Sequence, residues 1–209
     1  MLPSEPEYFW YRGQKCNHCR AVIPTFALGH YKPEEEGKDL FSKRIVNFYR
    51  WGNEKEYAYF RSRLIELYEK RFRDDLVFDI ICAAPTHLRD GLNPNIVALA
   101  RDVGSKSGIK FEQVVRRAQD TKPQHTVAMK EERLANVAGS IEIVGDVSGK
   151  NVLVLDNTSI YGATFQEIFD CLKRAGAGTV VFICLGLGSK GKECDFDLNP
   201  ALSWKTSEI

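Results

Sequence analysis

The run Asn151-Val-Leu-Val-Leu-Asp156-Asn157-Thr158-Ser159-Ile160-Tyr161-Gly162-Ala163-Thr164 holds the residue types and spacing best suited to chemistry. An apolar run stops at an acidic residue, a polar loop follows, and Gly-x-Thr opens an amphipathic stretch. Strand, loop and helix start in this order aim backbone N–H groups at a phosphate. In a parallel sheet such a loop sits at the carboxyl end of a strand, where ligands of open α/β folds bind. The plainer reading is a structural turn in which Thr164 or Ser159 caps a helix. His87 and His125 fall in polar loops, where either could touch phosphate or simply be solvated. Arg116, Arg117, Lys122, Lys130 and Arg133, tempered by Asp120, Glu131 and Glu132, form a basic cluster. It suits a solvated loop, closure over a phosphate, or contact with single-stranded nucleic acid. Cys16-Asn-His-Cys19 is half of a tetrahedral zinc site. His30, His18, Cys194 or a partner chain could add ligands; two inert reduced cysteines are the alternative reading, and a thioredoxin-like redox role is disfavoured because no βαβ context follows the pair.

These residues need elements to position them, and the bulk properties allow a real core. The chain has 209 residues, of which 44% are hydrophobic, enough for one domain with a small appendage. A net charge of +1 lacks the basic bias of a dedicated nucleic-acid binder. The first residues show neither a basic n-region nor an apolar h-region, so no secretory signal is expected. The longest apolar run, Thr179 to Leu187, is too short to span a bilayer. Six cysteines in that context point to a reducing cytoplasmic setting rather than a disulfide framework.

Periodicity supplies the scaffold. Tyr57, Phe60, Leu64, Leu67, Tyr68 and Phe72 recur at helical spacing and predict an amphipathic helix over 54–73. Leu76–Ala84 reads as a buried strand ended by Pro85, and Asn93-Pro94 as a helix start. Ile109–Val115, Ile141–Val144, Asn151–Leu155 and Thr179–Leu185 read as further strands, and Phe165 to Ala175 as a helix. Arg116 to Arg133, nearly free of large apolar residues, predicts an exposed, mobile loop. Residues 1 to about 40 show no apolar periodicity and are expected to be irregular. Strands alternating with helices predict an α/β fold with a largely parallel sheet between helices.

Four segments, in order, resemble the phosphoribosyltransferases of the ComF family, which are associated with DNA uptake in competence. Ala84-Pro85-Thr86-His87-Leu-Arg89-Asp-Gly91-Leu-Asn93 resembles the family's "VPxP…R-x-R-G-F-N-Q". Val115-Arg116-Arg117-Ala-Gln-Asp-Thr121-Lys-Pro-Gln124 resembles "L-x-R-x-R-x-T-x-x-Q", and Glu132-Arg133-Leu-Ala-Asn136-Val-Ala-Gly139 resembles "R-x-x-N-V-x-G-A-F". Val152 to Thr164, then Ala175-Gly176-Ala177, resembles "V-L-L-V-D-D-V-x-T-T-G-A-T" and "A-G-A". The resemblance covers about half the chain. It implies a type I phosphoribosyltransferase-like parallel sheet flanked by helices, with a small irregular N-terminal segment. The chain then divides into three parts: an irregular N-terminal segment over 1–40, either a loop-rich cap or a zinc knuckle, a helical hood over 41–75, and a core with a C-terminal tail over 76–209.

The same resemblance implies site roles. The 5′-phosphate of 5-phosphoribosyl-1-pyrophosphate (PRPP) would lie on the backbone N–H groups of Ile160, Tyr161, Gly162, Ala163 and Thr164. The Thr164 hydroxyl would be an extra donor, and Gly162 would allow close approach. Asp156 and Asn157 would hold the ribose hydroxyls, with Thr158 and Ser159 between them and the phosphate. Thr86, His87 and Arg89 would take the diphosphate, and Arg116 and Arg117 would close over it. Mg²⁺ carried by PRPP would neutralise the leaving group. ComF-like proteins often carry two Cys-x-x-Cys pairs near the N-terminus and this chain has one, so Cys16 and Cys19 would need a further ligand, such as His30, to hold zinc. The chain departs from this pattern where Asn157 replaces a carboxylate, where Ile160-Tyr161 replaces Thr-Thr, and where Asp90 and Pro94 replace arginine and glutamine. Two functions therefore stand side by side. One is transfer of phosphoribosyl to a nitrogen acceptor. The other is a catalytically inactive module that binds nucleic acid or a partner protein in DNA uptake or processing. A homo-oligomer is compatible with both.

Overall fold

A computed structural model describes residues 9–32, 37 and 39–188. Cys194 and the C-terminal tail lie outside these residues. The order of elements is β1 (Trp10–Lys15), β2 (Val22–Ala27), α1 (Leu40–Trp51), α2 (Glu54–Arg71), β3 (Ile80–Ala83), α3 (Pro94–Ser107), β4 (Lys110–Phe111) and β5 (Val115–Arg117). A 3-10 turn at Gln124–Thr126 leads to α4 (Lys130–Val137), β6 (Ile141–Ile143), β7 (Val152–Ser159), α5 (Ala163–Arg174) and β8 (Val180–Leu187).

The fold is α/β, with a mostly parallel central sheet flanked by helices. The strands run in the order β1-β2-β8-β7-β3-β4, and only the β1–β2 pair is antiparallel. β5 and β6 form a separate antiparallel pair. Burial on both faces follows the two-residue period of a strand. Leu153, Leu155, Val181 and Ile183 point into one core with Phe48, Phe60, Leu64 and Leu99 from the first three helices. Val152, Val154, Val180 and Phe182 point into the other with Phe165, Ile168, Phe169 and Leu172 from α5. The rings of Phe165 and Phe182 stack at 4.4 Å between centroids. Sheet strands with both faces covered read as continuous apolar runs, which is why β7 and β8 were legible.

Local signals place the helix ends. The Asn93 side chain accepts from the N–H groups of Asn95 and Ile96, with Pro94 at the first helical position of α3. Asn93 and Asn95 also donate to the Tyr49 carbonyl, and Asn95 to that of Phe48, so α3 caps the C-terminus of α1. This junction brings Tyr49 to the carboxyl ends of the sheet strands. No helix among the described residues is long and apolar enough to cross a membrane.

Three stretches differ from expectation. The N-terminal region contains a hairpin that joins the sheet, where irregular chain was expected. Its strands are short, and Pro24 sits just before the β2–β8 pairing begins at Thr25, so no apolar alternation shows. The expected single strand over 109–115 is two short strands. Between them the Gln113 side chain bonds both polar groups of Ala83 and the Val115 carbonyl, standing in for a ladder. The polar stretch 116–133, expected to be exposed, buries Arg117 and Arg133 at 2% and 6% relative exposure. Their head groups donate to the Thr86 carbonyl and the Ser140 hydroxyl, and to the Val127 carbonyl, which offsets the cost of burying charge.

Candidate phosphate-binding site

A cavity of about 550 Å³ opens at the carboxyl ends of β3 and β7, within the range usual for small-molecule sites. Its floor is the β7–α5 junction. The strand runs on to Ser159, because Thr158 and Ser159 still pair with Gly186 and Leu187 of β8. The expected polar loop from Asp156 is therefore mostly strand, and the turn is Ile160-Tyr161-Gly162. Gly162 adopts φ 70° and is the N-cap of α5 with no side-chain cap. The backbone N–H groups of Tyr161 to Phe165 form no hydrogen bond within the described structure, the first such bond of α5 being Gln166 to Gly162. Uncapped N–H groups at the positive end of a helix dipole attract an anion.

The walls are basic. Arg117, Arg133, Arg50, His87 and His125 line the cavity, and Asp156 is the one carboxylate among the described lining residues. The Asp156 carboxyl is raised to about 7, first by burial; the Asn157 N–H it accepts at 2.7 Å and the nearby Arg117 charge act the other way. Burial also raises the Tyr49 phenol, with the Asp156 charge adding to the effect. The Arg117 guanidinium is lowered by burial, against the pull of Asp156 and Glu167, and stays cationic at any working pH. Arg133 lies 4.6 Å over the Tyr161 ring, so the tyrosine of the turn is covered by a cation from α4.

All nine residues from Asp156 to Thr164 line the cavity, as do Thr86, His87 and Arg117. Arg89 and Arg116 do not. Arg89 pairs with Asp90, and its backbone N–H donates to Asp120; Arg116 pairs with Glu142 and Asp90 on the exposed side of β5. Alternation along β5 sends Arg117 inward and Arg116 outward. Lining residues that sequence reasoning passed over are Tyr31, Tyr49 and Arg50, because no local pattern ties the C-terminus of α1 to β7.

Cys16 and Cys19 lie at the β1–β2 turn, Cys16 buried and Cys19 exposed. His30 follows the far end of β2 and bridges to Leu187, with roughly 20 Å of extended strand between it and the pair. His30 thus cannot join the cysteines at one ion, and no group of three or more His, Cys, Asp or Glu among the described residues could hold a metal. Two cysteines leave a tetrahedral zinc site half filled. Asp156 and Asn157 offer one carboxylate and one amide oxygen to the cavity, which fits Mg²⁺ held chiefly by a ligand's phosphates rather than by the protein.

No protein-family model matches the chain, and no curated protein sequence matches it. Solved structures show partial likeness. The allosteric regulatory enzyme of purine biosynthesis is 20% identical over 61% of this chain and 26% of its own, with a TM-score of 0.42. Glutamine PRPP amidotransferase from B. subtilis, complexed with ADP and GMP, is 18% identical over 66% of this chain and 30% of its own, at 0.44. Purine phosphoribosyltransferase from Pyrococcus horikoshii Ot3 is 18% identical over 66% of this chain and 83% of its own, at 0.40. The chain spans less than a third of the length of the first two.

Proposed function

We propose that the cavity binds a phosphorylated ribose, PRPP or a close relative, as in ComF-like phosphoribosyltransferases. The observation that carries this reading is the row of unbonded N–H groups from Tyr161 to Phe165 on the floor of a cavity whose walls hold Arg117 and Arg133. A 5′-phosphate sits on those N–H groups, with the Thr164 hydroxyl beside them. Asp156 and Asn157 meet the ribose hydroxyls. Arg117 and His87 face a diphosphate, while residues 121–133 cover the ligand and α1, within the hood segment 41–75, closes the opposite wall. Mg²⁺ brought by the diphosphate would neutralise its charge as it leaves. In the transfer reaction the bond from ribose C1 to the diphosphate oxygen breaks, a bond to the acceptor nitrogen forms, and that nitrogen loses a proton.

A second reading keeps binding without turnover. Asn157 and Ile160 stand where the family pattern offers acidic or hydroxyl groups, and Asp156 is left as the lone lining carboxylate. Such a protein acts as a cytoplasmic binding module for nucleic acid or a protein partner. Calorimetric titration with PRPP, with and without Mg²⁺, beside ribose 5-phosphate, tests both readings. Micromolar, Mg-dependent PRPP binding well above that of ribose 5-phosphate supports the transferase. Comparable binding of both ligands without an Mg²⁺ effect supports a binding-only site, and binding of neither removes the phosphorylated-ribose reading and leaves the module for nucleic acid or a protein partner.

A further inference from the structure

Arg12 of β1 is 6% exposed and has no carboxylate partner among the described residues. Its Nη1 donates to the Ile160 carbonyl at 2.7 Å and its Nη2 to the Ser159 hydroxyl at 2.6 Å, while its buried Nε has no acceptor among the described residues. A buried cation normally sits beside a counter-charge. Here it grips the tip of the β7–α5 turn from behind, for Arg12 is not among the cavity-lining residues whereas Ser159 and Ile160 are. The planar trans peptide makes the consequence specific. With the Ile160 carbonyl drawn back to Arg12, the N–H of Tyr161 in the same peptide points the opposite way, toward the cavity.

The rest of the hairpin holds this geometry. A Cβ on Gly162 would collide with Gln14 Oε1, so the turn lies tight against β1. The Gln166 side chain of α5 accepts from Asn17 N–H at 3.0 Å and donates to the Lys15 carbonyl at 2.8 Å, tying the same hairpin to the helix.

We infer that Arg12 is a positioning residue of the phosphate loop: it fixes the Ile160–Tyr161 peptide so that the Tyr161 N–H joins the anion cradle, and it sets a positive charge behind the bound phosphate. The inference rests on the cavity binding a phosphorylated ribose. Arg12→Lys keeps the charge but cannot reach both acceptors with a fixed fork.

The test titrates the full chain and Arg12→Lys with ribose 5-phosphate, read by calorimetry and by the amide resonances of the turn. In the parent, the Tyr161, Thr164 and Phe165 amides shift downfield on binding. In Arg12→Lys the affinity falls about tenfold and the Tyr161 shift is lost, while Thr164 and Phe165 still respond. A merely structural role would weaken all three alike. A parent that binds while the variant keeps both affinity and the Tyr161 shift overturns the inference alone. A parent that binds neither ribose 5-phosphate nor PRPP overturns the underlying reading and the inference with it. Should Arg12→Lys lose cooperative unfolding, Ser159→Ala, which removes one of the two acceptors, is read in its place. The inference then expects about a threefold loss of affinity with a diminished Tyr161 shift, and unchanged values overturn it.

Discussion

The guanidinium of Arg133 lies 4.6 Å from the centre of the Tyr161 ring, joining the segment over the cavity to the turn beneath it. Arg133 also donates to the Val127 carbonyl at 2.6 Å, so one side chain anchors residues 127–133 and covers the tyrosine. Tyr161 lines the cavity and supplies a docking face for the covering segment.

That contact predicts a measurable coupling. Tyr161→Leu keeps bulk and removes the π face, and Arg133→Met removes the charge. A double-mutant cycle in urea unfolding is expected to give a coupling of about 0.5–2 kcal/mol, the range for a partly desolvated cation–π pair. Hydrogen exchange in 121–133 should quicken in Tyr161→Leu, while β7 amides keep their protection. A coupling near zero with unchanged exchange would show that the covering segment is held by its other bonds.

Asp156 predicts a pH dependence of stability. Its carboxyl rises from an ordinary 3.8 to about 7 in the folded protein. A raised acid binds its proton more readily when folded, so its stabilising effect is full below about pH 4. That effect is lost as pH rises through about 7. The parent should therefore lose about 4 kcal/mol relative to Asp156→Asn between pH 4 and pH 8, read from urea midpoints across that range. Parallel pH curves for the two proteins would sink the assignment.

Gly162→Ala should cost stability on two counts. At φ 70° an L side chain is strained by about 1–2 kcal/mol, and the new Cβ runs into Gln14 Oε1. Gln14→Ala in the same chain relieves the collision but not the strain. The double variant should recover part of the lost melting temperature and stay below Gln14→Ala alone. Full recovery would show that the backbone there accepts a side chain.

Much of the scaffold could be read from local sequence. Asn93-Pro94 announces α3 because the cap and the fixed proline φ act within one turn. The stripe from Tyr57 to Phe72 announces α2 because Phe60, Leu64 and Leu67 face a core at helical spacing. The apolar runs of β7 and β8 needed no partner to be recognised, although β7 ran four residues further than its apolar part, since Asp156 to Ser159 pair with a strand that also continues.

By itself, then, the sequence determined the α/β layering, the strand-to-helix turn at Gly162 and the presence of basic loops. Periodicity, caps and turn residues act over a few neighbouring positions, where side-chain type decides the outcome. Tertiary structure alone decided that Arg117 faces the cavity and Arg116 the solvent, that α1 brings Tyr49 and Arg50 to the site, and that Arg12 braces a turn 148 residues away. Those relationships depend on which strand edge pairs with which and how helices pack across the sheet. Such long-range contacts are set by the burial of the whole chain and leave no local pattern to read.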